Sequence, residues 1–74
     1  MYTNDEWNYI VDEFESRKAK IICTDGSEYV GVGGPYCQWE DDDGNSEWAI
    51  TLDMQSEIGM IFRQSAVERI EYLD

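Results

Sequence analysis

The sequence predicts a small, mainly β fold with one N-terminal helix: a five-stranded, antiparallel, strongly bent barrel. Three observations carry that expectation. Apolar residues recur with helical spacing up to residue 17 and with period two after Lys18. Asp25-Gly26 and the polar stretch Glu40-Asp41-Asp42-Asp43-Gly44-Asn45-Ser46 supply turns between the alternating runs. Gly31, Gly33 and Gly34, followed by Pro35, interrupt the second run where a curling sheet needs a bend.

The helix is expected over 3–17. Thr3 is a good N-cap, and Glu6 completes a capping-box pattern with it. Trp7, Ile10, Val11 and Phe14 then form one apolar stripe. Asp5 and Glu6 favour the positive end of the helix dipole, while Arg17, Lys18 and Lys20 lie at or beyond the negative end.

The barrel is expected over 18–73. Ala19, Ile21 and Cys23 point inward from the first strand, and Asp25-Gly26 turns the chain. Tyr29, Gly31 and Gly33 continue the inward face of a second strand that bends at Gly33-Gly34-Pro35 and runs on through Tyr36-Cys37-Gln38-Trp39. Trp48, Ile50 and Leu52 mark the inward face of the third strand, with Met54–Glu57 connecting to the fourth. Ile58, Met60 and Phe62 mark that strand, Gln64-Ser65-Ala66 is a tight turn, and Val67, Ile70 and Tyr72 form the fifth. Residues 1–74 thus read as a single domain without repeat or linker. Curling such a sheet hides the edges that would otherwise aggregate.

Composition narrows the function. Seventeen Asp and Glu face five Lys and Arg, for a formal charge of -12 with no His. That balance opposes direct DNA binding, because neutralising cations dominate affinity for a phosphate backbone. Lack of His removes the commonest general base and a common transition-metal ligand. With 42% hydrophobic and 14% aromatic residues, the chain is too apolar for a disordered acidic tail. Its first residues are acidic and lack the apolar run of a secretory signal, and no segment is apolar enough for a membrane span. Cys23 and Cys37 are expected to be reduced, since one bridge is a sparse framework for a secreted mini-domain. A cytoplasmic setting follows.

Catalytic and metal templates fail individually. With Gly44 at the sixth position of a calcium loop, Trp39 falls first and Ile50 twelfth, where carboxylates are required. No carboxylate pair stands out for glycoside hydrolysis, and nucleophilic triads lack a His. No phosphate-cradling glycine loop is present. No enzyme activity, metal or cofactor is expected.

Element order and several positions resemble the Sm-like family of small SH3-like barrels, which includes RNA-binding proteins. Ile21, Cys23, Asp25-Gly26, Tyr29 and Gly31 match the spacing of its first motif. Ile61-Phe62-Arg63, Val67 and Ile70 match the second, with Gln64 in place of its Gly. The likeness runs from about Lys18 to Leu73 and implies the barrel. The family's Asp and Asn that read uridine have no counterpart here, where Pro35-Tyr36-Cys37-Gln38-Trp39 runs into the acidic turn. Arg63 matches the family's arginine, but an ordinary salt bridge suits it better in so acidic a chain. Family members form rings; six copies of this chain would gather roughly -72 formal charges, so a monomer or dimer is expected instead.

The expected function is therefore non-enzymatic binding of a basic, nucleic-acid-binding protein. Glu40, Asp41, Asp42, Asp43 and Glu47 would meet its Lys and Arg, helped by Trp39. Small acidic proteins of phages and mobile elements that inhibit restriction, repair or CRISPR nucleases resemble this chain in size and charge. An Sm-like RNA-associated module using Arg63, and a scaffold whose acidity serves solubility, are the alternatives. Trp48 is expected in the core, and Trp39 either at a barrel end or in the interface.

Overall fold

The computed structural model describes residues 2–54 and 59–74. Helix α1 spans Asn4–Glu13, followed by β1 (Lys18–Cys23), β2 (Glu28–Gly33), β3 (Cys37–Glu40), β4 (Ser46–Asp53), β5 (Met60–Arg63) and β6 (Val67–Tyr72). A 3-10 turn at Gln64–Ala66 joins β5 to β6. The strands pair antiparallel in the order β3-β4-β2-β1-β6, with β5 on the other side of β4, and the sheet curls strongly into a half-barrel. No helix among the described residues is long and apolar enough to cross a membrane.

The capping box forms as expected: the Thr3 side-chain oxygen accepts from the Glu6 N–H at 3.2 Å, and the Thr3 N–H donates to Glu6 Oε1 at 2.9 Å. That donated bond holds the Glu6 carboxyl below its usual range. A carboxyl depressed by folding stabilises the fold above its unfolded pKa, about 4.3, and loses that contribution as pH falls through the folded value. Thr3→Ala is expected to lower stability by about 1 kcal/mol at pH 7, read from the urea midpoint. In the parent chain the cap should hold at neutral pH and weaken only as acid protonates the Glu6 carboxyl.

Trp7, Ile10 and Val11 turn inward from α1, and Phe14 is fully buried just beyond its end. The helix is shorter than the expected 3–17. Phe14 caps it by donating to the Ile10 carbonyl at 2.8 Å, and Ser16 takes a left-handed φ of 68°. The Ser16 N–H then donates to the Gly33 carbonyl, and the Gly33 N–H to the Arg17 carbonyl, both at 2.8 Å. Residues 15–17 therefore leave the helix to dock on the end of β2.

The sheet has six strands where five were expected, because the bend divides the second one. Val32 and Gly33 pair with Asp53 and Leu52, and the Gly34 N–H donates to the Thr51 carbonyl at 2.9 Å. Pro35 has no N–H to continue this ladder. Pairing resumes with Cys37 opposite Ala49, offset by one residue. β2 and β3 thus run along one edge of β4 as a single bent path. The Thr51 hydroxyl secures the bend by donating to the Pro35 carbonyl at 2.9 Å.

Ala19, Ile21, Ile50, Leu52, Phe62 and Val67 complete the core against the helix, with Tyr29, Ile70 and Tyr72 packed at its margin. Val67 and Ile70 are three residues apart because Glu68 is inserted as a bulge: Cys23 pairs with Val67, while Ile22 pairs with Arg69. Trp48 departs from the expected core placement and is 40% exposed. Ala49 and Ile50 are both buried, so the alternation of β4 breaks beside it. Both cysteines are free. The expected connection at Met54–Glu57 and the expected role of Ile58 fall wholly or partly outside the described residues.

Candidate interaction site

The acidic residues form the tip of a hairpin made by β3 and β4. Trp39 pairs with Glu47 and Glu40 with Ser46, leaving residues 41–45 as the turn. Asp41 builds that turn. Its backbone N–H donates to the Asn45 carbonyl at 2.9 Å, and its Oδ1 accepts from the N–H groups of Asp43 and Asn45 at 3.0 and 2.9 Å. Gly44 closes it at φ 84°, a conformation glycine adopts without a Cβ penalty.

The expected contact residues divide into two groups. Asp41 is occupied by its own turn. Glu47 is occupied by Arg63, whose Nε donates to its Oε1 at 2.7 Å, while the guanidinium lies 5.4 Å from the Trp39 ring centroid. Arg63 reaches this position from β5, where it pairs across from Ala49. Glu47 raises the Arg63 pKa further, so the charge is permanent. By contrast, the side chains of Glu40, Asp42 and Asp43 project as exposed carboxylates without a hydrogen bond or ion pair among the described residues.

Ion pairing elsewhere concentrates the excess charge. Arg17 engages Glu13 and Asp74, Lys20 engages Glu28, and Arg69 engages Glu71, at 2.6–3.1 Å. With Arg63 on Glu47, four of the five cations are occupied by acids among the described residues. Partly exposed pairs of this kind add little stability, but they leave few cations to offset the hairpin tip. No group of three or more Cys, Asp or Glu among the described residues is arranged to hold a metal ion.

Exposed aromatic residues flank the tip on both faces of the hairpin: Trp39 shares the face of its partner Glu47, while Trp48 and Tyr36 lie on the opposite face. Trp39 is 36%, Trp48 40% and Tyr36 43% exposed. The Tyr36 and Trp48 rings meet edge to face, 5.2 Å between centroids and 88° between planes. The Trp48 carbonyl accepts the buried Trp7 Nε1–H at 2.7 Å, tying the hairpin to the helix. Tyr36 and Trp48 were absent from the expected contact set; the sequence signal for them is their position flanking the acidic turn, masked at Trp48 by its parity with Ile50 and Leu52.

This hairpin offers unpaired negative charge and exposed aromatic area, which suits recognition of a cationic surface. No protein-family model, curated protein or solved structure matches the chain.

Proposed function

We propose that the chain is a non-enzymatic protein-binding module whose β3–β4 hairpin engages a basic, nucleic-acid-binding protein in the cytoplasm. The observation that carries this reading is the set of three carboxylates, Glu40, Asp42 and Asp43, unpartnered among the described residues, at the tip of a hairpin that exposes Trp39 on one face and Trp48 with Tyr36 on the other. Long-range attraction would steer the hairpin into a cationic groove, and the aromatic rings would then hold it through desolvated contact. Spaced carboxylates would occupy sites that otherwise hold phosphates, in the manner of a small inhibitor. Asp41 shapes the hairpin turn, and Glu47 holds Arg63 near the Trp39 ring.

Pull-down from cell lysate at low and high salt tests this. A basic protein should be captured at low ionic strength and lost steeply as salt rises. Simultaneous Glu40→Lys, Asp42→Lys and Asp43→Lys should abolish capture while leaving the circular dichroism spectrum unchanged. Capture that ignores salt, or survives the triple reversal, would count against the hairpin.

A second reading, an Sm-like RNA-associated module, draws support from the element order, one helix followed by antiparallel strands, and from the bent β2–β3 path. Engagement of Arg63 by Glu47 weighs against its use on RNA. This reading requires oligouridine binding at low ionic strength that Arg63→Ala removes.

A further inference from the structure

Away from the hairpin, a cleft of about 450 Å³ opens where α1 faces Tyr72 near the end of the chain. Its volume suits a small ligand or one inserted side chain. Three tyrosines, Tyr2, Tyr9 and Tyr72, share its lining with the carboxylates of Asp5, Glu6 and Glu13. Asp5, Tyr9 and Glu13 recur at four-residue spacing, so helical geometry sets them one above another on α1. Tyr9 is 67% exposed and contributes little to the core. Tyr2 is held in place because its hydroxyl accepts the Ile70 N–H at 2.7 Å.

The molecule already places a guanidinium on this lining. Arg17 lies 3.7 Å from the centroid of the Tyr72 ring and donates to Glu13 at 2.6 Å. Arg17 is also held by Asp74, so the surrounding carboxylates outnumber it. Aromatic faces attract cations through their quadrupole, and neighbouring carboxylates supply hydrogen-bond acceptors in a geometry that a guanidinium matches. The Tyr72 hydroxyl is shielded from solvent without a hydrogen-bond partner among the described residues, leaving polar capacity unused beside the cleft.

We propose that this tyrosine–carboxylate cleft receives an arginine side chain presented by a partner peptide, with Tyr9 against its guanidinium and Asp5 accepting from it. This assignment is independent of the hairpin's role. The test is an NMR titration of the full chain with N-acetyl-Gly-Arg-Gly-amide, its lysine and citrulline counterparts, and free butylguanidinium. Saturable shifts of the Tyr9 and Tyr72 ring signals are expected with the arginine peptide and absent with citrulline. Tyr9→Ala, an exposed change that leaves the core intact, should weaken binding about tenfold. The triple hairpin reversal should leave it unchanged, which separates this site from the proposed function. Equal binding of citrulline or lysine would overturn the guanidinium assignment, and binding of free butylguanidinium alone would overturn the peptide source. Non-saturating shifts spread over all carboxylates would overturn the site.

Discussion

Gly33→Ala is expected to destabilise the chain by about 3 kcal/mol or more. A methyl group built on Gly33 would overlap the Phe14 carbonyl oxygen and press on the Phe14 ring. Neither neighbour can yield easily. Phe14 is fully buried and caps α1, while the two hydrogen bonds between Gly33 and residues 16–17 clamp the backbones together. The conflict is steric, so Gly26→Ala provides a contrast: Gly26 has φ 91° but nothing within 4 Å of an added Cβ. That substitution should cost only about 1–2 kcal/mol of left-handed backbone strain. Urea denaturation followed by circular dichroism measures both. A Gly33→Ala midpoint equal to the parent's would show that the helix does not approach the bend as closely as described.

Trp7→Ala is the second large effect, about 3–5 kcal/mol. Trp7 is 2% exposed, belongs to the core that joins α1 to the sheet, and donates its indole N–H to the Trp48 carbonyl. Removing it leaves a large void in a small core and frees the hairpin's attachment. Trp7→Phe separates the two contributions: it keeps most of the apolar contact but removes the donor, for about 1–2 kcal/mol. Because Trp39 and Trp48 are partly exposed, the blue-shifted emission of the folded chain should come from Trp7 and vanish in either variant. Unfolding curves and emission spectra together check the assignment. Loss of stability without loss of the blue-shifted component would contradict it.

The features legible in the sequence are those set by neighbours along the chain. Thr3 with Glu6, the stripe from Trp7 to Phe14, the Asp25-Gly26 turn and the alternation of β1 all follow from local spacing, and each forms. The glycine bend was equally legible, since β2 and β3 follow one edge of β4. Long-range partners decided the remainder. Residues 15–17 leave the helix because Ser16 and Arg17 bond to Gly33, a contact that helical periodicity does not encode. Trp48 has the parity of a core residue but lies beside Tyr36 at the solvent margin. Asp41 and Glu47 looked equivalent to their acidic neighbours; a hairpin turn and an arginine from β5 distinguish them. The tyrosine cleft joins residues from opposite ends of the chain, which no local pattern connects.

Under the proposed function, the unpaired carboxylates of the hairpin compete with nucleic acid for a cationic protein surface. The most direct test is displacement: the captured partner is held on immobilised chain, and duplex DNA or oligouridine is added at constant ionic strength. Release of the partner into a partner–nucleic acid complex, with none retained by the triple-reversal chain from the start, is expected. A ternary complex that keeps the partner bound, or nucleic acid retained by the chain itself, would rule out competition at the hairpin.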